Sequence, residues 1–111
     1  MWFVILYLFY GLLFMGISRP MILRRIKPNR LYGFRTRKTL SNPNIWYAAN
    51  EYSGRKLFCA GVLITLFSLL LAPLNLFGKN GFGLYTGIMA GTIFFSVIGA
   101  TIASFRYLKR L

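Results

Sequence analysis

The sequence predicts an all-α integral membrane protein: three transmembrane helices and a structured basic cytoplasmic loop that contains a short interfacial helix. Three observations predict this. Uninterrupted apolar runs at residues 2–18, 57–77 and 82–105 each reach the roughly 17–25 residues that a spanning helix needs. Of the 111 residues, 57% are hydrophobic and 14% charged, against about 45–50% and about 25% in ordinary soluble domains. A soluble domain of this length has too little interior to bury so much apolar surface, and a bilayer removes that requirement. Finally, 14 Lys and Arg stand against one acid, Glu51, with no His. The charges fall between or after the apolar runs, and the length allows one domain, residues 1–111.

The first run has no basic segment before it, and Arg19-Pro20 follows where a signal peptide would show small residues. It is expected to remain in the mature protein. Residues 19–56 then carry most of the basic side chains, and Arg106, Lys109 and Arg110 close the chain, while the second connection, Gly78 to Gly81, holds Lys79 alone. With three spans, the loop and the C-terminal tail share a side, so the positive-inside rule predicts the N-terminus outside and the C-terminus in the cytoplasm. Aromatic residues suit that placement, because amphipathic rings favour the headgroup level. Trp2, Phe77, Phe82 and Tyr85 mark the outer boundary; Trp46, Tyr47, Tyr52, Phe105 and Tyr107 mark the inner one.

Within the loop, Pro20 to Lys27 mixes apolar and basic residues and suits a short interfacial segment. Pro28-Asn29 breaks it, and Leu31 to Leu40 shows no period and is expected to be a turn-rich strap. Asn42 as N-cap with Pro43 at the first helical position starts a helix over residues 43–53 at the membrane surface, closed by Gly54. Cys59 begins the second apolar run and is expected to be a small buried residue. Near the outer end of that run, Pro73 removes a backbone donor and is expected to kink the helix, and Asn75 is expected to face headgroups. In the third run, Gly83, Gly87 and Gly91 recur every four residues and the stripe continues to Gly99 and Ala103. Such a smooth face lets helix backbones approach in lipid. Packing against the first two spans is the preferred reading for part of it, with a homo-oligomer as the alternative.

The chemistry that remains is narrow. With no His, one carboxylate and one Cys, the usual metal-ligand sets and a paired-carboxylate mechanism cannot be assembled from one chain. The spans hold no ionisable Asp, Glu, Lys, Arg or His for a proton relay. Neither an enzyme nor a bound cofactor is expected. The stretch Leu31 to Lys38 interleaves basic and aromatic residues, as nucleic-acid sites do. Because both ends are tethered to a membrane, anionic headgroups, each basic residue contributing about 1 kcal/mol, are the preferred partner and direct nucleic-acid binding is not expected. Glu51 has Arg55 four residues on, a helix-surface pair worth a few tenths of a kcal/mol; alternatively it orients Arg35 or Arg37 in a small polar site.

The residues Lys27 to Thr36, then Thr39 to Pro43, Trp46 to Asn50 and Gly54-Arg55 resemble the signature of the SdpI family. These bacterial membrane proteins are named for the immunity protein of a secreted killing-factor system. The likeness rests on Asn29, Gly33, Arg35, Thr36, Thr39, Trp46, Asn50 and Gly54 in order, with Tyr32 and Phe34 among them. Glu51 departs from the pattern, since the family more often has a basic residue there. The resemblance implies a multi-pass protein of the bacterial inner membrane that protects against a membrane-active toxic peptide, signals by holding a repressor at the membrane, or does both. Its loop, Glu51 included, would be the binding surface. A lipid-headgroup binder or structural subunit of a membrane complex is the rival reading, and an enzyme acting on lipid-linked substrates ranks third.

Overall fold

The computed structural model describes residues 2–29, 31 and 33–111. Tyr32, and the side chain of Trp2 expected in the outer aromatic belt, lie outside the described residues. The elements follow in the order α1 (Trp2–Ile22), α2 (Arg37–Ser41), α3 (Pro43–Leu70), a 3-10 segment (Ala72–Phe77) and α4 (Gly78–Lys109). Three stretches, Phe3–Ile22, Pro43–Leu70 and Ala72–Lys109, are long and apolar enough to cross a membrane. They lie side by side in a bundle of 53 × 22 × 19 Å, whose length fits the roughly 48 Å that 32 helical residues span.

Several boundaries differ from expectation, for physical reasons. α1 runs through Pro20 to Ile22 instead of stopping at residue 18. A proline there removes one hydrogen bond close to the helix end, where few remain to lose. No separate interfacial segment follows; the chain leaves the helix through Arg24, whose φ is +57°. The surface helix expected over 43–53 is instead the first part of α3, which continues unbroken past Gly54 to Leu70. Its start is as expected, with Asn42 Oδ1 accepting from the Asn44 N–H at 2.9 Å and Pro43 in the first turn. Gly54 does not close the helix but lets α1 approach it. A Cβ there would lie 2.9 Å from Met21 Cβ and 3.0 Å from the Ser18 carbonyl oxygen.

The second apolar run, 57–77, is shared by α3 and the 3-10 segment, so α3 ends at Leu70 and Pro73 kinks no helix. Asn75 turns inward on that segment, donating from Nδ2 to the Ala72 carbonyl at 3.0 Å. The connection Gly78 to Gly81 is already helical, as the first turn of α4. Gly78 enters it at φ +72°, a region that glycine adopts without steric cost. Gly81 allows the fold-back, since a Cβ there would collide with the Leu74 carbonyl.

α1 and α3 cross at Gly11 and Gly61. A Cβ on Gly61 would stand 2.7 Å from the Gly11 carbonyl oxygen, and one on Gly11 would run into Thr65 Oγ1. Val4, Tyr7, Ile64, Tyr85 and Met89 form the buried cluster where all three long helices meet. Tyr85 therefore belongs to the core and not to the outer aromatic belt; its hydroxyl donates to the Ser68 carbonyl at 3.3 Å. Trp46 is likewise fully buried and not in the inner belt. The buried hydroxyls of Ser18, Ser68 and Ser104 donate to Met15, Thr65 and Ala100 carbonyls of their own helices, which makes them tolerable at membrane depth.

The stripe on α4 does not pack against the first two spans. Around a Cβ placed at Gly83, Gly87, Gly91 or Gly99 no neighbouring heavy atom lies within 4 Å. The close approach occurs at Gly11, Gly54 and Gly61 instead. Cys59 is exposed rather than buried, on the flank of α3 that faces away from α1. Substituting Gly61 by Ala should therefore lower thermal stability in detergent by about 1–3 kcal/mol, the usual cost of overpacking. Gly87→Leu and Gly91→Leu should leave the unfolding temperature of the monomer unchanged.

Candidate functional site

At the basic end of the bundle the loop folds back over α3, where hydrogen bonds from Trp46 and Asn50 hold it. Asn29 forms a turn with its own backbone: Nδ2 donates to the Lys27 carbonyl at 2.7 Å and Oδ1 accepts from the Leu31 N–H at 2.8 Å. Trp46, one turn into α3, donates its indole N–H to the Ile26 carbonyl at 2.8 Å. Asn50 lies one turn further. Its Oδ1 accepts from the Phe34 N–H at 2.6 Å, while Nδ2 donates to the Phe34 carbonyl at 3.3 Å and to the Trp46 carbonyl at 2.9 Å. Gly33 precedes Phe34 at φ +106°, and a Cβ there would meet Asn50 Oδ1 at 2.6 Å and the Trp46 ring at 3.3 Å. Both the backbone conformation and the close approach require glycine.

Thr36 and Thr39 start α2 with a reciprocal capping box. Thr36 Oγ1 accepts from the Thr39 N–H at 3.1 Å, and Thr39 Oγ1 accepts from the Thr36 N–H at 2.7 Å. The strap expected over 31–40 thus contains a short helix. Phe34 then reaches α4, where its ring meets Phe105 edge to face at 5.1 Å. It lines a small cleft with Ser53, Leu57 and Ala100, between α3 and α4. Lys38 completes the attachment by donating to the Leu108 carbonyl at 2.8 Å, a cation on the negative end of α4.

Glu51 does not orient Arg35 or Arg37. Its Oε2 takes a paired contact from Arg24, with Nη2 at 2.7 Å and Nε at 2.8 Å, and its Oε1 pairs with Arg55 at 3.0 Å. The Arg55 pair follows helix spacing; the Arg24 pair joins residues 27 apart in sequence. It secures the exit of α1, where Arg24 and Arg25 N–H groups bond the Met21 and Pro20 carbonyls at 3.2 and 3.0 Å. That is the Schellman pattern, with arginine at the left-handed position where glycine is usual. At 28 residues α3 is longer than the roughly 20 a hydrocarbon core needs, and Glu51 lies in the excess at its N-terminal end, before the apolar run that begins at Leu57. The hydrogen bond from Arg24 holds its carboxyl below the ordinary range, against a smaller opposing push from desolvation.

The motif residues therefore divide. Asn29, Gly33, Phe34, Thr36, Thr39, Trp46, Asn50 and Gly54 are occupied in building the cap or seating it on the helices. Arg35 and Arg37 are exposed and make no hydrogen bond or ion pair among the described residues. The partners Arg24, Ile26, Lys38 and Phe105 were beyond sequence reasoning, since nothing in the local pattern links them to the residues they touch. Gly11 and Gly61 were within reach of the small-residue rule that singled out the stripe on α4.

This architecture defines a multi-pass membrane protein with a rigid, basic cap formed by the loop between its first two spans. The chain belongs to the SdpI/YfhL protein family, which matches residues 25–107, the cap and the two helices that follow. YfhL, an uncharacterized protein of Bacillus subtilis (strain 168), is 41% identical over 49 residues. That match covers 44% of each of the two chains. No solved structure matches the chain.

Gly33→Ala should open the cap, because it strains the backbone and displaces the Asn50 amide. Asn50→Ala should do the same by orphaning the Phe34 N–H, at about 1–3 kcal/mol per unpaired group. In vesicles exposing the loop, both variants should be cut by trypsin at Arg35 and Arg37 several-fold faster than the wild type.

The Glu51 ties have a defined pH window. A carboxyl with a depressed folded pKa contributes stability above its unfolded value, about 4.3 for Glu, and loses it as pH falls through the folded one. In a Trp2→Phe background, the emission of Trp46 should hold constant from neutral pH to about 4.3 and shift red only below it. Glu51→Gln should show a red-shifted emission already at neutral pH.

Proposed function

We propose that this chain is an immunity-type membrane protein that acts by binding, without catalysis, through the exposed face of its cytoplasmic cap. In this reading it protects the cell against a membrane-active toxic peptide, holds a repressor at the membrane, or does both. The observation that carries the proposal is the division of the motif. The other described residues of the signature are used to fix the loop, and what they fix is the backbone at Arg35, with Arg37 close by, both exposed and without a hydrogen bond or ion pair among the described residues. A guanidinium held on a rigid backbone loses little entropy when it meets a carboxylate or carbonyl partner. Family membership supports the same reading, and the positive-inside rule puts the cap, and the C-terminus with it, in the cytoplasm.

The test is expression in a bacterium sensitive to killing peptides, with a C-terminal fusion to report orientation. The wild type should raise survival at least tenfold, Arg35→Ala should abolish protection at unchanged membrane levels, and Gly87→Leu should leave it intact. Absence of protection against several membrane-active peptides, and of any repressor in the membrane fraction, would overturn the proposal. A silent Arg35→Ala would remove the cap face from it.

A further inference from the structure

Phe34 fills one side of the seam between α3 and α4, and the other side is open. On that open side Tyr52 of α3 stacks flat on Tyr107 of α4, with centroids 4.2 Å apart and planes 9° from parallel. A cleft of about 520 Å³ lies beside the stack, bounded by Gly99, Ala103, Arg106 and Arg110. A second cleft of about 240 Å³ shares Gly99 and Ala103 with the first and extends past Lys56 and Cys59 to Leu63 and Phe95. The shared residues make the two a continuous furrow. Its mouth is basic and aromatic, and its inner end is apolar.

We infer that this furrow seats one anionic phospholipid, its phosphate between Lys56, Arg106 and Arg110 and an acyl chain along Gly99 and Ala103 toward Phe95. Charge carries the first part of the argument. The one acidic side chain of the protein, Glu51, is already held by Arg24 and Arg55. The three cations at the mouth therefore face no carboxylate side chain, and among the described residues Lys56 has only the Tyr52 ring, 5.3 Å from its ammonium. Depth carries the second. From Tyr52 to Leu63 the helix rises about 16 Å at 1.5 Å per residue, close to half of the roughly 30 Å hydrocarbon core. An occupant with a phosphate at one end and a hydrocarbon chain of one leaflet's depth fits both ends, as a water-soluble anion does not.

Shape carries the third part. The floor is made of small residues, and a Cβ at Gly99 would meet nothing within 4 Å, so there is room for a methylene chain against the helix backbone. A second copy of this protein could also use a smooth α4 face. A two-fold pairing there would bring Lys56, Arg106 and Arg110 against their own counterparts, which like-charge repulsion opposes. The seat is distinct from the Arg35 face and independent of the function proposed for it.

Native mass spectrometry of the intact protein in neutral detergent tests this, with dioleoylphosphatidylglycerol titrated against dioleoylphosphatidylcholine. One tightly bound phosphatidylglycerol per monomer is expected, with at least fivefold preference over phosphatidylcholine. Lys56→Ala/Arg106→Ala should reduce its occupancy at least fivefold, and so should Gly99→Leu, which changes no charge. Arg35→Ala/Arg37→Ala removes the same charge elsewhere and should leave occupancy unaltered. Each protein's circular dichroism and unfolding temperature confirm that it is folded. Equal loss in the Arg35/Arg37 variant would reduce the effect to general attraction and overturn the seat. So would equal binding of both lipids, displacement by inorganic phosphate at millimolar concentration, or a Gly99→Leu effect on dimers in place of bound lipid.

Discussion

A side-chain amide can serve a backbone as a neighbouring strand does, accepting from the N–H and donating to the C=O of one residue. Asn50 does this for Phe34, and the arrangement of the basic end depends on it. The loop between α1 and α2 has no helix to satisfy its peptide groups, and it lies against apolar helices where orphaned groups are costly. The amide cannot rotate away, because its Nδ2 also bonds the Trp46 carbonyl one turn earlier. With Phe34 fixed, its ring is delivered to the seam between α3 and α4, and Arg35, the next residue, is left exposed. Gly33 follows from the same geometry, since the amide oxygen occupies the space a side chain would need.

The amide is positioned in turn by the way helices pack in lipid. Apolar burial gives little reason for spans to associate in hydrocarbon, so close backbone contact has to supply it. α1 and α3 achieve that contact at Gly11, Gly54 and Gly61, forming the stem of the molecule. α4 is held differently: by the Tyr7, Tyr85 and Met89 cluster toward one end, and by Phe34 and Lys38 of the cap at the other. The cap is therefore a structural member that sets the spacing of α3 and α4. The same spacing leaves the furrow open on the far side.

The three spans, the start of α3 at Asn42-Pro43 and the grouping of the loop motif were readable from composition, capping chemistry and order. Those signals are local. The continuity of α3 was not readable, because glycine has the same low helix preference whether it ends a helix or admits a neighbour. At Gly54 the deciding fact is the position of Met21 and the Ser18 carbonyl on another helix. The glycine period on α4 showed that a smooth face exists without showing what it faces. Trp46 and Tyr85 were assigned to headgroups by their amphipathic character, and each found its polar partner inside the protein instead, at the Ile26 and Ser68 carbonyls. A ring with one polar atom suits either place.

One acid among so many bases also constrains the design. Arginine in the left-handed region at Arg24 costs about 1–2 kcal/mol relative to glycine, yet glycine there would have no charge to offer Glu51. The paired contact from Arg24 offsets that strain and ties the exit of α1 to α3 close to Trp46 and Asn50. Because Glu51 is committed to this tie, no acidic side chain is left to neutralise the remaining cations of the loop and the α4 end. Their counter-charge has to come from outside the chain, from lipid phosphate, from a partner's carboxylates or from small ions. The basic surfaces on the cap and along the furrow are thus left open to anionic ligands by this scarcity of acid.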